Sequence, residues 1–225
     1  MNATLIIPAL NEADVVGHVV ARVPSGVVSE VIVVDNGSVD DTGEVAARAG
    51  ARVVREPRRG YGAACWAGVN ALGAGVDVVA FLDGDGSQHP EELPLILEPL
   101  AAGRADFVLG ARRIDTGHPL HATLGSRLVA AYLSWRHGVR LTDVGPLRAI
   151  RLDLLRRLAM RDRAFGWPVE MVAKAAVHGA RIVEVPVSHS ARLGGRSKVS
   201  GTLRGSLRAS YAFLVIAVRA SRKAA

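Results

Sequence analysis

The 225-residue sequence is poor in several kinds of residue, and each shortage excludes a class of protein. Its single cysteine, Cys65, can form neither an internal disulfide nor a cysteine-based zinc cluster. Aromatic residues make up only 4% of the chain, so stacking on nucleic-acid bases is not expected as a main mode of binding. The apolar run Tyr211–Val218 is much shorter than the roughly 20 residues that a membrane-spanning helix needs. The apolar stretch Thr4–Leu10 is short and contains Pro8, so we expect no secretory signal.

Acidic residues are missing from the end of the chain. The formal charge is +7, from 28 basic and 21 acidic residues, and every charged residue from Arg192 onward is basic. Such a bias suits phosphate-bearing substrates, an anionic membrane surface or nucleic acid. Because the basic residues gather at one end, we favour a phosphate or surface contact made by that end. A genome rich in GC, which favours arginine, is the alternative explanation.

The first half of the chain alternates between strand and helix patterns. Four apolar runs lack strict alternation, as is typical of strands buried on both faces of a parallel sheet. They are Thr4–Ile7, Val31–Val34, Arg52–Arg55 and Val76–Leu82. The helical patterns between them are Ala13–Ala21, Asp41–Ala49 and Ala63–Ala74. This alternation predicts right-handed βαβ units, and hence an α/β fold with a mostly parallel central sheet flanked by helices.

The second half has a different texture, with further elements and more loop. We predict helices at Pro90–Ala102, Leu124–His137, Asp153–Ala159 and Val169–His178, and strands at Asp106–Gly110, near Ile150 and at Arg181–Val187. The segment Ala191–Ser200 is rich in Gly, Arg and Ser and is expected to be a mobile loop. Neither a repeat nor a linker is visible, so residues 1–225 are predicted to form a single domain.

The most informative motif is Phe81–Gln88, in which Asp83 and Asp85 follow a predicted buried strand. A strand that ends in Asp-X-Asp delivers oxygen ligands to the carboxyl edge of a sheet, where open α/β folds bind ligands. Such oxygens suit Mg²⁺ or Mn²⁺, and the ion can neutralise a diphosphate. The intervening Gly84 lets backbone and substrate approach closely. The alternative is a plain polar turn, because Asp and Gly favour turns.

Six further motifs accompany the aspartate pair in a fixed order. They are Ile7–Glu12, Val33–Thr42, Arg59–Ala64, Gly145–Ile150, Gly166–Met171 and Arg192–Thr202. Together these motifs make the chain resemble the family 2 inverting glycosyltransferases with a Rossmann-like GT-A fold, particularly the dolichol-phosphate mannosyltransferase-like branch. The resemblance covers nearly all of residues 3–202. We therefore expect a donor half at 1–115 and an acceptor half with a basic loop at 116–200. A helical pattern at the end of the chain adds a basic amphipathic C-terminal helix at 201–225.

The resemblance also implies a site for a UDP- or GDP-sugar at the ends of the first strands. It assigns the nucleotide to Pro8, Asn11, Glu12 and Asp35, the last of which would read the base edge or the ribose. The alternative for Asn11 and Asp35 is that they cap helices or turns.

The same resemblance makes Asp83 and Asp85 the donor-site pair, with Gly84 between them. It implies that Asp85 is the direct metal ligand, that Asp83 contacts ribose, sugar or metal, and that Gln88 completes the metal site. The spacer between Asp85 and Gln88 is one residue longer here than in the dolichol-phosphate enzymes.

Breaking a glycosyl–phosphate bond leaves negative charge on the departing diphosphate, which cations stabilise. The candidate cations are Arg112, Arg148, Arg192, Arg196 and Lys198. Arginine holds phosphate oxygens bidentately, whereas lysine acts as a point charge. The loop that carries the last three is expected to close over the diphosphate like a lid. Ordinary solvated surface charge is the alternative.

Direct displacement by an acceptor hydroxyl would need a general base, and Glu170 on the first turn of a predicted helix is the candidate. Its alternative role there is a favourable interaction with the helix dipole. A phosphate acceptor is already anionic and needs no strong base, in which case Glu170 would only bind or orient the sugar.

The sequence thus predicts a metal-dependent hexosyltransferase, and the resemblance makes polyprenyl phosphate the leading acceptor. The alternatives are a soluble small-molecule or glycan acceptor and, in other classes, a nucleotidyltransferase or a non-catalytic nucleotide-sugar-binding protein. Acidic strand ends argue against a nucleic-acid partner.

Two segments would suit a membrane surface. Arg127 and Arg136 flank an apolar helix, and the C-terminal helix is apolar on one face and basic beside it. The apolar residues of that face are Leu203, Leu207, Tyr211, Leu214 and Val218. Packing of this helix on its own domain, or on a second subunit in a homodimer, is the alternative. We therefore expect a cytoplasmic protein that is either soluble or peripheral on the inner face of the cell membrane.

Overall fold

The computed structural model describes residues 1–113, 120–194 and 213–221, with residues 120–124 described by their backbone alone. Its central feature is a seven-stranded sheet with the order β3-β2-β1-β4-β6-β5-β7. The strands are β1 Ala3–Ala9, β2 Glu30–Asp35, β3 Arg52–Arg55, β4 Val78–Phe81, β5 Phe107–Arg112, β6 Arg148–Arg151 and β7 Ile182–Val187. All neighbouring pairs are parallel except those made by β6, which runs antiparallel to β4 and β5. The predicted α/β class with a mostly parallel sheet is confirmed.

Helices connect the strands and cover both faces of the sheet. They are α1 Ala13–Ala21, α2 Thr42–Arg48, α3 Tyr61–Asn70, α4 Leu93–Ala101, α5 Leu120–His137, α6 Leu152–Arg157, α7 Trp167–Val177 and α8, residues 213–220. A 3₁₀ turn, Pro90–Glu92, precedes α4. None of the described helices is long and apolar enough to cross a membrane.

Several boundaries differ from the predictions by a few residues, and two of these differences have a clear physical reason. β4 starts at Val78 rather than Val76, because its pairing with β1 begins where Val78 meets Ala3. α3 starts at Tyr61, two residues before the predicted Ala63, because the carbonyls of a distant loop accept its first N–H groups.

The sheet divides the interior into two apolar clusters. Along β1, Leu5 and Ile7 face the cluster that α1 and α4 cover, whereas Ile6 faces the cluster under α3, α5 and α7. This alternation along a strand that is buried on both faces explains why its sequence is apolar without interruption.

The described part of the C-terminal helix packs on its own domain. Ala217 is fully buried in the second cluster and Leu214 packs against it. The His137 ring nitrogen Nε2 lies 2.8 Å from the Ser221 hydroxyl oxygen. For Leu214 the structure favours the alternative of packing on its own domain, because Leu214 packs against the core. Leu203, Leu207 and Tyr211 lie outside the described residues.

Candidate active site

The predicted donor-site residues gather at one edge of the sheet, where β1, β2 and β4 end. Ala9 in β1 is in register with Asp35 in β2, and Ile6 in β1 is in register with Phe81 in β4. The polar residues that follow these strands therefore leave the sheet side by side. Pro8 itself lies within β1, half-buried beside Val34.

The Asp-Gly-Asp motif forms a tight turn after β4. The backbone N–H of Ser87 donates to Asp85 Oδ1 at 2.9 Å, and Gly86 at the bend has a φ of 73°. The backbone N–H of Asp83 donates to Gln88 Oε1 at 3.2 Å. Gln88 is 1% exposed, and its oxygen thus already supports the turn. Its predicted part in a metal site stays a prediction.

Asp83 is held by a neighbouring phenol. The Tyr61 hydroxyl, on the first residue of α3, donates to Asp83 Oδ1 at 3.0 Å. Burial raises the pKa of the Asp83 carboxyl above its usual range, and the adjacent Asp85 carboxylate adds to the rise. Burial also raises the pKa of Tyr61 well above its ordinary value, so the phenol stays protonated and remains a donor. Tyr61 lies in the quoted motif Arg59–Ala64, but no feature of the sequence indicated that it reaches Asp83.

Arg148 lies beneath this turn, on β6. It is 1% exposed, and its Nε donates to the carbonyl of Pro146 at 3.0 Å. Its charge opposes the rise in the pKa of Asp83. Among the described residues, its buried Nη1 has no hydrogen-bond partner. A buried guanidinium with an unsatisfied N–H is costly, and an anion would satisfy it.

Asp85 and Glu12 share one guanidinium. Arg192 places Nη1 2.8 Å from Asp85 Oδ2 and Nη2 2.7 Å from Glu12 Oε1. The backbone of the same segment crosses the turn, because the Leu193 N–H donates to the Asp85 carbonyl and the Ser190 N–H to the Ser87 carbonyl. The structure therefore brings these three predicted residues together. Arg196 and Lys198, and most of the predicted loop, lie outside the described residues.

The residues of this edge fit a divalent ion that arrives together with a diphosphate. Within residues 1–113, 120–194 and 213–221, no three His, Cys, Asp or Glu side chains converge as a complete metal cage. Mg²⁺ does not need one, since it is usually bound by one or two carboxylates plus substrate phosphates. The guanidinium between Asp85 and Glu12 demonstrates that positive charge is accommodated at this point.

A cavity of about 410 Å³ opens beside this edge, at the ends of β2 and β3. It is lined by Asp35, Gly37, Ser38, Asp40, Asp41, Gly43, Glu44, Arg55, Glu56 and Pro57. The Ser38 N–H donates to Asp35 Oδ1 at 2.9 Å. Asn11, by contrast, has a φ of 52° and accepts a hydrogen bond from the Val39 N–H, so it supports the loop. The residues after β3 were missed by the sequence analysis, although the parallel pairing of β2 with β3 puts them at the same edge.

Arg112 at the end of β5 is engaged by a carboxylate. Its Nε lies 2.6 Å from Asp143 Oδ2, and its Nη2 lies 2.8 Å from Asp143 Oδ1 and 2.7 Å from the Ser126 hydroxyl. Burial alone would raise the pKa of Asp143, but the hydrogen bonds from Arg112 and Ser126 outweigh it and lower the pKa. Asp143 and Ser126 were missed, because they lie 31 and 14 residues from Arg112 and no local pattern joins them.

The chain is similar to known proteins of one family. The model of the family described as "Glycosyl transferase family 2" matches residues 4–159. The chain belongs to this family. An uncharacterised glycosyltransferase of Mycobacterium tuberculosis is 44% identical over 208 residues, which cover 91% of this chain and 92% of that protein.

Two named relatives indicate the branch. The undecaprenyl-phosphate mannosyltransferase of Micrococcus luteus is 35% identical and covers 91% of this chain and 90% of its own length. The polyprenol monophosphomannose synthase of Mycolicibacterium smegmatis is 32% identical, covering 88% and 81%. The predicted membership of the dolichol-phosphate mannosyltransferase-like branch is confirmed, and the chain is a hexosyltransferase.

A solved structure confirms the GT-A fold of this glycosyltransferase. It is the glucosyl-3-phosphoglycerate synthase of Mycobacterium tuberculosis, in complex with Mn²⁺, uridine diphosphate and phosphoglyceric acid. The TM-score is 0.80 at 25% identity, and the match covers 98% of this chain and 78% of that one.

Glu170 of the glycosyltransferase has contacts that argue against the predicted general base. It is 5% exposed, and its carboxylate accepts hydrogen bonds from the backbone N–H groups of Arg161 and Asp162, the shortest at 2.7 Å. Lys174, one turn along α7, places its Nζ 2.7 Å from Glu170 Oε1. Both oxygens are therefore engaged within the protein.

The loop that Glu170 holds supports α3 in turn. The carbonyls of Arg163 and Ala164 accept the N–H groups of Ala63 and Gly62, both at 2.9 Å. A side chain at Gly62 would collide with the Asp162 carbonyl oxygen at 2.4 Å, so the fit requires glycine. Tyr61 of this helix in turn donates a hydrogen bond to Asp83. Glu170 is therefore connected to the aspartate pair through the loop backbone and α3.

Proposed function

We propose that this glycosyltransferase moves a hexose from a UDP- or GDP-sugar to a polyprenyl phosphate, with inversion at the anomeric carbon. The observation that carries the proposal is the sharing of the Arg192 guanidinium by the buried carboxylates of Glu12 and Asp85, next to a cavity of about 410 Å³. A nucleoside in the cavity would leave its diphosphate at this junction of acid and base. That is the charge arrangement that a metal-bound diphosphate requires.

The cavity supports binding of the nucleoside. Asp35 lines it with one oxygen engaged by the Ser38 N–H, and a carboxylate at this position can accept hydrogen bonds from base or ribose donors. Neither UDP nor GDP is favoured by these contacts, since uracil, guanine and ribose all carry suitable donors.

The residues around the turn support departure of the diphosphate. Asp85, with Asp83 or Glu12 beside it, would hold Mg²⁺ or Mn²⁺, which neutralises charge on the leaving group. Arg148 would donate its unpaired N–H to the same anion, and Arg192 would exchange a carboxylate for a phosphate. Tyr61 keeps Asp83 in place while the bond breaks.

The chemical step needs no base if the acceptor is a phosphate. An acceptor phosphate oxygen attacks the anomeric carbon, the glycosyl–phosphate bond breaks, and its electron pair remains on the departing nucleoside diphosphate. No proton has to be removed from the acceptor. The engagement of both Glu170 oxygens by the loop and Lys174 therefore supports a phosphate acceptor over a hydroxyl acceptor. The names of two relatives, a mannosyltransferase acting on undecaprenyl phosphate and a polyprenol monophosphomannose synthase, support the same choice.

A soluble acceptor is the second candidate. The structural neighbour that matches with a TM-score of 0.80 was solved with phosphoglyceric acid bound. If the glycosyltransferase uses such a molecule, it turns over without lipid.

A direct test separates donor, metal and acceptor. The purified enzyme is titrated by calorimetry with a panel of UDP- and GDP-hexoses, with Mn²⁺, with Mg²⁺ or with a chelator. It is then assayed with polyprenyl phosphate or with phosphoglyceric acid. We expect metal-dependent binding of one nucleotide-sugar and transfer to the lipid phosphate. Equally tight binding of the nucleotide-sugar in the presence of the chelator would refute metal dependence. Transfer to phosphoglyceric acid but not to polyprenyl phosphate would establish the soluble acceptor.

A lipid acceptor also determines where the enzyme works. Because a polyprenyl phosphate stays in the bilayer, we propose that the enzyme acts as a peripheral protein on the cytoplasmic face of the membrane. Fractionation of cells that express it, with and without a high-salt wash, tests this location.

A further inference from the structure

We propose that the outward face of α5 docks this glycosyltransferase on an anionic lipid bilayer, an inference that deepens the proposed use of a lipid acceptor. The surface consists of Leu128, Ala131 and Trp135, with Arg127 and Arg136 on its two sides. We call it the α5 face.

The α5 face is apolar and open. Leu128 and Trp135 are two helical turns apart and point the same way, and they are 46% and 79% exposed. The opposite side of the helix provides Val129, Ala130 and Leu133, all fully buried. A tryptophan so exposed is unusual in a soluble surface but typical of proteins that rest in the interfacial layer of a bilayer.

Basic residues frame the α5 face. Arg127 and Arg136 are exposed on either side of the apolar stripe, Arg140 is exposed just beyond the helix, and α5 contains no acidic residue. Arg219 of α8 is also exposed, two residues before Ser221, which contacts His137. An apolar stripe between arginines complements acyl chains and anionic headgroups together.

The same charges disfavour the other obvious occupant, a second copy of this chain. In a symmetric dimer through the α5 face, each copy would present the same patch to its partner. Arg127 and Arg136 would then meet like charges, with no acidic residue of α5 to neutralise them. The described part of α8 offers a smaller apolar surface, because Ala217 and Leu214 pack into the core and only Val218, 38% exposed, remains open among its large apolar side chains.

The position of α5 links this surface to the active site. Ser126, on the buried side of the helix, contacts both Arg112 and Asp143 at 2.7 Å. Docking through the α5 face would therefore set the strand ends of the acceptor half at a fixed orientation to the bilayer.

The test is flotation with lipid vesicles that contain no polyprenyl phosphate, so that binding is separate from catalysis. We expect the enzyme to float with vesicles containing phosphatidylglycerol and to bind vesicles of phosphatidylcholine alone much more weakly. The double variant Leu128→Ser, Trp135→Ser should lose at least about tenfold in vesicle affinity, because its apolar anchor is gone. Leu95→Ser is the matched control, since Leu95 is 50% exposed on α4 and should have no effect.

A charge variant makes the test independent of the apolar substitutions. Arg136→Glu should weaken binding to anionic vesicles only, whereas Arg48→Glu, also exposed but on α2, should not. Equal flotation of the enzyme and both α5 variants would overturn the proposal. The proposal would also be overturned if the enzyme did not bind vesicles but formed a concentration-dependent dimer that the double variant abolished. Nucleotide-sugar affinity, measured on the same proteins, should be the same in the α5 variants as in the unmodified enzyme. Absence of nucleotide-sugar binding in all of them would count against the proposed function and not against the α5 face.

Discussion

Asp85 and Glu170 are both buried carboxylates, exposed by 7% and 5%, yet their surroundings differ in kind. Asp85 accepts one backbone hydrogen bond and pairs with the side chain of Arg192. Glu170 accepts the N–H groups of two consecutive loop residues and a lysine from its own helix.

The two kinds of partner differ in whether they can be replaced by a ligand. A guanidinium partner can move away and be replaced by a metal ion or a phosphate, because only side-chain torsions change. Backbone N–H partners cannot leave unless the loop opens, and a buried carboxylate deprived of them would be costly. If Asp85 binds the ion as proposed, burial and charge do not distinguish a ligand-binding carboxylate from a structural one, whereas the nature of the partner does.

Replacing Asp85 should have the largest effect. Asp85→Asn keeps the shape but removes the charge, and we expect metal-dependent nucleotide-sugar affinity to fall by more than about 100-fold, since even changes around metal ligands cost about 10- to 100-fold. Calorimetry with and without Mn²⁺ measures the effect. Asp153→Asn, at an exposed aspartate paired with Arg157, is the control and should bind normally. An unchanged affinity in Asp85→Asn would remove it from the metal site.

Glu170→Gln should affect stability more than chemistry. One acceptor oxygen and the charge opposite Lys174 are lost, so we expect the free energy of unfolding to fall by about 1–3 kcal/mol. The transfer rate should fall by less than about tenfold and keep its pH profile, whereas loss of a general base costs about 100- to 10,000-fold. Denaturant unfolding and pH–rate curves are the measurements, with Glu98→Gln, at an exposed glutamate of α4, as the control. A collapse of the rate at unchanged stability would restore Glu170 as the base.

The parallel half of the fold was predictable from sequence because its signals are local. Continuous apolar runs identified β1 to β4 to within about two residues at each end, and the strand ends carried the acidic residues with them. The place of β6 between β4 and β5 was not predictable, since antiparallel insertion depends on pairing with strands far along the chain.

The site was predictable only in part, and for a similar reason. Residue types at a strand end pointed to Asp83 and Asp85, the charge of a departing diphosphate pointed to Arg192, and the family resemblance added Glu12 and Asp35. The partners that determine what these residues do come from elsewhere in the chain. The two N–H groups that engage Glu170 lie in the loop before its helix, and no sequence pattern indicates that the loop turns back to it.

Removing Arg192 tests whether the partner of Asp85 is exchangeable. In Arg192→Met the guanidinium that now lies between Asp85 and Glu12 is gone, so Mn²⁺ without nucleotide should bind about 3- to 10-fold more tightly, as like charges no longer compete. Nucleotide-sugar should bind more weakly if Arg192 holds the diphosphate. Electron paramagnetic resonance of free Mn²⁺ follows the first effect, and Arg48→Met is the control. An unchanged Mn²⁺ affinity would mean that Arg192 does not compete with the ion.

The smallest effect is expected at Asp106, a third carboxylate that lies away from the site and pairs with Arg181 at 2.7 Å. Hydrogen bonds from Arg181 lower the pKa of Asp106 to about 2. A lowered pKa contributes stability that is fully present above the unfolded value of about 4 and is lost as the pH falls toward 2. Because Arg181 is more than half exposed, solvent screening should keep the contribution small. Urea unfolding between these pH values should show that Arg181→Met weakens this dependence while nucleotide-sugar binding at neutral pH is unaltered. If nucleotide-sugar binding falls as well, the partners of a carboxylate do not reveal whether it supports the fold or binds a ligand. The contrast drawn between Asp85 and Glu170 would then be wrong.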